Sequence, residues 1–197
     1  MLARLAALLS CVFVAAAGVS CSATPPSRFY ALDATATPDG RPAARDAVIV
    51  GPVSIPGSVD RPQLVVQVSP NRLEVDEFDR WISPLDDSIA RAVAGNLSVL
   101  LGTPDVATAP FANFDPVYRV TIDVQRFDSI QGEAAVVDAV WAVRKTTGGQ
   151  TRSGRTVARE AVQGEGFDAL AAAHSRAIGT LSSDIAAAIR ASADSAR

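Results

Sequence analysis

The sequence predicts an α+β fold, a two-layer sandwich in which one mixed or antiparallel β-sheet is covered on one face by two amphipathic helices. Three observations support this fold class. Strand-like segments come in two groups, each followed by a helix-like segment, in the order β-β-β-α-β-β-β-α. The strand-like segments have β-branched runs or apolar residues at alternate positions. The helix-like segments repeat apolar residues every three or four positions, which collects them on one side of a helix.

The first group of strands lies in the first part of the chain. Residues 29–32 are a short apolar segment, and residues 33–46 are rich in Pro, Ala, Asp and Gly, which favours a flexible connection. Strand signals follow at residues 47–56, 64–69 and 72–78. The dipeptide Pro70-Asn71 separates the last two strands and predicts a turn.

The first helix is predicted to begin at Pro84. Ser83 is the expected N-cap, Pro84 the first helical residue, and Gly102 is expected to end the helix. Asp86 and Asp87 fall in the first turn, where the helix dipole favours negative charge, so a structural role accounts for them without acid–base chemistry. The apolar stripe of this helix consists of Leu85, Ile89, Val93, Leu97, Leu100 and Leu101.

The second group of strands is predicted to form a meander. Residues 103–116 contain three prolines and indicate a loop with one short strand around Val106. Gly148-Gly149 predicts the turn between the last two strands. The three strands are expected at residues 118–125, 134–144 and 152–162. The final helix is predicted over residues 167–192, and at about 1.5 Å per residue it would be roughly 38 Å long.

The N-terminal segment is predicted to be an export signal. In residues 1–20, Arg4 precedes an apolar stretch that is shorter than the roughly 20 residues that a membrane-spanning helix needs. The segment ends in Gly18-Val19-Ser20-Cys21, which resembles the lipobox of bacterial lipoproteins. In such proteins the signal is removed before the cysteine, and the cysteine is acylated.

We expect Cys21 to be the site of lipidation. Cys11 would be lost with the signal, which leaves Cys21 as the only thiol of the mature chain. An exported protein with one free cysteine is unusual. The alternative is a plain signal peptide with an incidental cysteine. The expected organisation is a lipoprotein signal at residues 1–20, a lipidated cysteine and tether at residues 21–28, and one periplasmic domain at residues 29–197.

The composition argues against a nucleic-acid partner. The chain has a formal net charge of -3, with 20% charged and 6% aromatic residues. Loss of Arg4 with the signal would change the charge from -3 to -4. An acidic chain without a dense run of Lys and Arg lacks the electrostatic attraction to phosphates on which nucleic-acid binding depends.

The sequence lacks the common catalytic and metal-binding motifs. Its single histidine, His174, lies beside the apolar stripe of the last helix and has no cysteine partners for a zinc site, so we interpret it as structural. No P-loop, G-x-G-x-x-G turn or G-x-S-x-G nucleophile elbow occurs. Adjacent carboxylates such as Asp76-Glu77 do not face each other on a strand. We therefore predict no enzyme activity, no cofactor and no metal site.

The two tryptophans are the largest apolar side chains. Trp141 is predicted to lie in the core, within a central strand. Trp81 follows Arg80 just before the first helix and has two interpretations. It packs beneath the start of the helix, or it anchors a partner together with Arg80, because Trp and Arg are enriched at binding hot spots.

Four segments together resemble the ABC-type transport auxiliary lipoprotein family, of which PqiC is the named member. They are FDRWISPLDDSIARAVAGNLSVLL (78–101), YRVTIDVQRFDS (118–129), AVVDAVWAV (135–143) and AAAHSRAIGTLSSDIAAAI (171–189). The resemblance begins near residues 29–32 and covers nearly all of the chain after Cys21, with the segments in the same order.

The resemblance implies a non-catalytic outer-membrane lipoprotein that faces the periplasm. Such a protein would work with an MCE-domain protein similar to PqiB and with an inner-membrane permease to move phospholipids between the two membranes. It would form a homo-oligomeric ring on which the tunnel-like MCE protein docks.

Two other functions are open alternatives. A stand-alone periplasmic carrier of lipids or small ligands would need an apolar cavity between the sheet and the helices. An envelope hydrolase would need a nucleophile with a partner base, and the sequence offers no such motif.

Overall fold

The structure, a computed structural model, describes residues 24–149 and 151–194. The predicted signal at residues 1–20 and the predicted lipidation site at Cys21 lie outside the described residues. The strands are β1 (Arg28–Tyr30), β2 (Val48–Ser54), β3 (Gln63–Ser69), β4 (Arg72–Trp81), β5 (Val106–Ala107), β6 (Tyr118–Ile130), β7 (Ala134–Lys145) and β8 (Thr151–Ala161). The helices are α1 (Leu85–Leu101) and α2 (Gly166–Asp194).

The described strands form one mixed eight-stranded sheet around β6. One edge of β6 pairs antiparallel with β7, which pairs antiparallel with β8, as predicted for the meander. The other edge of β6 is shared by two strands. Its first half pairs parallel with β2, and its last residue, Ile130, pairs parallel with Gln67 of β3. The sheet continues from β2 to β5, and from β3 to β4 and β1.

Both helices are packed into one hydrophobic core with the sheet, which confirms the predicted α+β sandwich. Helix α2 contacts β6, β7 and β8, while α1 contacts β2 and β5, and the two helices contact each other. Ile178, Leu181 and Ile185 of α2 are fully buried. Each such side chain contributes roughly 1.5–3 kcal/mol on burial. The apolar stripes of the sequence are therefore the surfaces that hold the two layers together.

Residues 31–46, which we call the strap, lie against both helices. The backbone N–H groups of Thr35 and Ala36 both donate to Asn96 Oδ1 of α1, at 2.8 Å. On α2, Ser175 Oγ accepts a hydrogen bond from the N–H of Asp33 at 3.1 Å. The strap contains no regular helix or strand, as its composition predicted, but these hydrogen bonds attach it to the helices.

Strands β4 and β6 are longer than predicted. The prediction ended β6 at residue 125, but the strand continues to Ile130 after a register shift between Val124 and Arg126. The prediction ended β4 at residue 78, and the strand continues to Trp81 past an irregular turn of backbone at Asp76. In both strands the irregularity breaks the period of two on which the sequence prediction depends.

The start of α1 corrects one prediction. Pro84, with ψ of 136°, occupies the N-cap position, and no side chain caps the helix, so Ser83 is not the N-cap. The carbonyl oxygen of Pro84 accepts a hydrogen bond from Ser88 Oγ at 2.9 Å. Gly102 ends the helix as predicted. Its φ of 65° lies in the left-handed region, which glycine adopts without a steric penalty.

Candidate functional site

The first part of the candidate site is the end at which the tether joins the domain. Strand β1 pairs parallel with β4, with Arg28 opposite Asp79. The chain before Arg28 therefore comes from the direction of Arg72 and the β3–β4 turn. Cys21 precedes Arg28 by seven residues, and seven extended residues span about 23 Å.

A buried carboxylate fixes β1 in this position. Asp79 is 1% exposed and accepts two hydrogen bonds from the Arg28 guanidinium, at 2.7 and 2.6 Å, and one from the Tyr30 hydroxyl at 2.6 Å. Burial raises the pKa of Asp79, but the hydrogen bonds from Arg28 and Tyr30 outweigh burial and hold that pKa below its usual value. Burial and the bond to Asp79 raise the pKa of Tyr30 to about 12. Charge-assisted hydrogen bonds therefore attach the first strand after the tether to the sheet.

Trp81 lies in the core close to this end. It is 5% exposed, and its ring meets the rings of Phe127 and His174 edge-on, with centroids 6.0 and 6.2 Å away. Of the two roles considered for Trp81, this geometry favours packing, because a side chain with so little exposed surface offers little to a partner.

Arg80 has a different environment from Trp81. Its side chain is half-buried, and its guanidinium donates to the carbonyl oxygen of Glu77 at 3.2 and 3.0 Å. In the sheet Arg80 stands opposite Phe29 of β1, which is 57% exposed. The role of Arg80 as a partner anchor stays a prediction.

His174 and Ser129 form a buried pair with the spacing of a nucleophile and its base. The His174 Nε2 atom lies 2.8 Å from Ser129 Oγ, and the imidazole stacks on Phe127 with 3.9 Å between the ring centroids. Burial lowers the pKa of His174 to about 3, so the imidazole is neutral near pH 7. Ser129 and His174 are 3% and 0% exposed, so a substrate has no access to the pair. Packing explains this pair better than nucleophilic catalysis does.

The described residues show no other chemistry-bearing cluster. Within residues 24–149 and 151–194, no group of three His, Cys, Asp or Glu side chains is placed to hold a metal ion. In the same part of the chain, no helix is both long and apolar enough to cross a bilayer.

The described part of the chain has surface grooves of substantial volume. A groove of about 680 Å³ lies between the strap and α2, and one of about 790 Å³ lies where the strap, α2 and the start of β6 meet. The second is lined by charged groups that include Arg41, Arg45 and Lys145. A third, of about 260 Å³, lies on the sheet beside Pro52 and Val140. The second groove lies where α2 meets the sheet, but charged side chains make up much of its lining, which does not suit the acyl chains of a lipid.

Two exposed apolar regions occupy opposite parts of the molecule. The first is the hairpin tip, residues 68–75, in which Val68, Leu73 and Val75 are at least one-third exposed. The second is an aromatic pair in the loop between β5 and β6, where Phe111 and Phe114 stack with 4.6 Å between centroids. This loop enters β6 at Tyr118, whereas the hairpin tip extends past the other end of β6, about 40 Å away along the strand.

Neither of these regions is predicted from the sequence. Leu73 and Val75 alternate along the predicted strand at residues 72–78, but whether another layer covers the face that carries them cannot be read from alternation. For the second region a signal was present, because two phenylalanines in a proline-rich loop have no strand or helix period that would place them in a core.

The comparisons with known proteins agree with this architecture. A family model described as the ABC-type transport auxiliary lipoprotein component matches residues 30–186. No curated protein sequence matches the chain. The fold is similar to that of a crystallised uncharacterised protein, with 21% identity, a TM-score of 0.69, and coverage of 84% of this chain and 99% of that one. It is also similar to a Xanthomonas campestris protein of the DUF330 family, with 21% identity, a TM-score of 0.71, and coverage of 87% and 100%.

Proposed function

Because the chain belongs to the ABC-type transport auxiliary lipoprotein family, we propose that it is a non-catalytic subunit of an MCE-type lipid-transport system in the bacterial envelope. The observation that carries this proposal is the family match across residues 30–186. The burial of the Ser129–His174 pair supports a non-catalytic role, because it closes this pair to a substrate.

In this proposal, acyl chains on Cys21 hold the protein on the periplasmic face of the outer membrane. One acyl chain anchors a protein only marginally, but each buried CH2 adds about 0.8 kcal/mol, so several chains on one cysteine hold it stably. The hydrogen bonds of Asp79 to Arg28 and Tyr30 support this arrangement, because they connect the tether firmly to the sheet.

The part of the molecule away from the tether then faces the periplasm and receives the partner. That partner is an MCE-domain tunnel protein similar to PqiB, which is connected to an inner-membrane permease. The exposed Phe111, stacked on Phe114, is an aromatic group of the kind that anchors protein interfaces. A homo-oligomeric ring of this subunit would give the tunnel a symmetric seat.

The cargo in this proposal is a phospholipid. Exposure of its acyl chains to the periplasm would cost about 0.8 kcal/mol for each CH2, and a continuous apolar tunnel avoids most of that cost. The subunit itself needs no lipid cavity, because it positions the end of the tunnel. This agrees with the groove between α2 and the start of β6, because its lining includes the charged Arg41, Arg45 and Lys145 rather than a continuous apolar surface.

The test is a Cys21→Ala substitution in the full-length chain, followed by membrane fractionation. We expect the variant protein to leave the outer-membrane fraction and to appear in the soluble fraction or as the uncleaved precursor. We also expect that an MCE-domain protein no longer co-purifies with it from detergent extracts. A Ser22→Ala variant serves as the matched control. Unchanged outer-membrane recovery of Cys21→Ala would contradict the proposal.

A further inference from the structure

We infer that the hairpin tip (residues 68–75) is a second membrane-contact element that rests in the lipid surface beside the acylated cysteine. The inference rests on the proposed lipid anchor at Cys21 and adds a protein surface to it. The partner of the hairpin tip in this inference is the same bilayer that holds the acyl chains of Cys21.

The hairpin tip concentrates exposed apolar surface. Leu73 is 51% exposed, Val75 39% and Val68 36%, within a stretch of eight residues. The other large exposed apolar residues of the described chain lie outside this stretch, and they are Phe29, Ile82, Phe111, Val140 and Val157. Leu73 and Val75 share one face of the hairpin, and Val68 lies on the other, because Leu73 pairs with Gln67. The tip therefore exposes apolar side chains on both faces, whereas single exposed apolar residues are common on any protein.

The hairpin tip also protrudes from the sheet. Gln67 of β3 pairs with Leu73 across the hairpin and with Ile130, the last residue of β6. Residues 68–72 therefore extend past the end of the central strand β6, and no part of β6 lies beside them. Val68 is the exposed apolar residue of this projecting part, and Leu73 lies at its base, level with Ile130. A hairpin that projects in this way can rest in a lipid surface without moving the rest of the domain.

The direction of the tether places the membrane at this end. Because β1 is parallel to β4 and Arg28 pairs with Asp79, an extended tether would run beside β4 toward Arg72, and its seven residues are long enough to reach that level. Arg72 is the first residue of β4 and belongs to the hairpin tip. The anchor and the hairpin tip would therefore lie at the same end of the sheet.

The charges of the hairpin tip favour contact with lipid. Its two ionised side chains, Arg72 and Glu74, form an ion pair with 2.9 Å between Nη2 and Oε1. The segment has no net charge, so it meets little electrostatic repulsion at a bilayer surface. Arg72 also has the long side chain that can keep its charge at headgroup level while its stem lies on apolar surface.

The experiment uses the lipidated protein, purified from membranes and reconstituted into vesicles of phosphatidylethanolamine and phosphatidylglycerol. Because acylation blocks Cys21, a cysteine introduced at Leu73→Cys is the only thiol that reacts with an environment-sensitive dye. Val157→Cys on β8 and Phe111→Cys in the β5–β6 loop are matched controls, since both side chains are more exposed than Leu73. We expect a blue shift and quenching by nitroxide-labelled lipid at position 73, and neither change at positions 157 and 111.

The outcomes separate the inference from the proposed function. If the protein floats with the vesicles and the dye at position 73 is not quenched, the anchor stands and the inference is overturned. If the protein does not float, the anchor and the inference both fail. A blue shift at position 73 that appears in detergent and depends on protein concentration would assign the hairpin tip to a second copy of the chain, which also overturns the inference. Equal quenching at positions 73, 157 and 111 would also overturn the inference, because the contact with lipid would then not be specific to the hairpin tip.

Discussion

At the scale of single residues, one buried histidine makes the stability of the fold depend on pH. His174 is enclosed by Phe127, Trp81 and Ser129, and burial lowers its pKa from 6.5 to about 3. The unfolded chain therefore binds a proton between pH 6.5 and pH 3 that the folded chain does not bind. Folding stability from this residue is present above pH 6.5 and is lost as the pH falls toward 3.

We predict that the free energy of unfolding falls by about 2 kcal/mol between pH 7 and pH 5 because of His174 alone. His174→Gln should remove this part of the pH dependence, even if it lowers stability at every pH. Urea unfolding of both proteins at several pH values measures the effect. Since His174 is the single histidine of the chain, an unchanged slope in the variant would show that the imidazole is not neutral in the fold.

At the scale of elements, the strap depends on small residues in the helices. A Cβ atom at Gly95 of α1 would lie 2.9 Å from the Cβ of Ala34, and a Cβ at Gly179 of α2 would lie 2.7 Å from Thr35 Oγ1. Both distances are too short for non-bonded atoms. Glycine at these positions lets the backbone of the strap come close enough to bond Asn96, which is fully buried.

We predict that Gly95→Ala loosens the strap and destabilises the protein by about 1 kcal/mol. Alanine normally stabilises a helix by about 1 kcal/mol relative to glycine, so a loss would show that the clash with Ala34 outweighs the helix propensity. Hydrogen exchange at Thr35 and Ala36 should become faster. Gly57→Ala is the control, because a Cβ there meets no atom within 4 Å. Stabilisation by Gly95→Ala would contradict the prediction.

At the scale of the whole molecule, the proposed function needs two separate contact regions. The tether and the hairpin tip share one end, and the Phe111–Phe114 loop lies toward the other end of β6. If the subunit connects a membrane to a tunnel protein, as we propose, it needs this separation, because the two contacts must form at the same time. Tethering to the membrane raises the effective concentration of the subunit at its partner, so the second contact does not need high affinity by itself.

We predict that the double variant Phe111→Ala, Phe114→Ala weakens recovery of the MCE-domain partner while leaving membrane anchoring intact. Loss of an aromatic interface anchor typically costs about 2 kcal/mol, which corresponds to a roughly 30-fold weaker affinity. Quantitative co-purification from detergent extracts measures the change, with Val157→Ala as the control at a comparably exposed site. Equal partner recovery from the double variant and the control would place the docking surface elsewhere.

The sequence by itself determined the α+β class, the order of the main strands and helices, the meander and the apolar faces of both helices. It could do so because the period of apolar residues is local information. The resemblance of its motifs to the transport auxiliary lipoprotein family was confirmed by the family match across residues 30–186. Lipidation at Cys21 stays a prediction. It did not determine which strands share β6, or that the strap is attached to the helices.

Those features were decided by the tertiary structure, because they depend on pairs of residues far apart in the chain. Arg28 meets Asp79 across 51 positions, and Thr35 meets Asn96 across 61. The first contact sets the direction of the tether, and the second attaches the strap. The exposure of Leu73 has the same origin, since an apolar strand face is buried only where another layer happens to cover it.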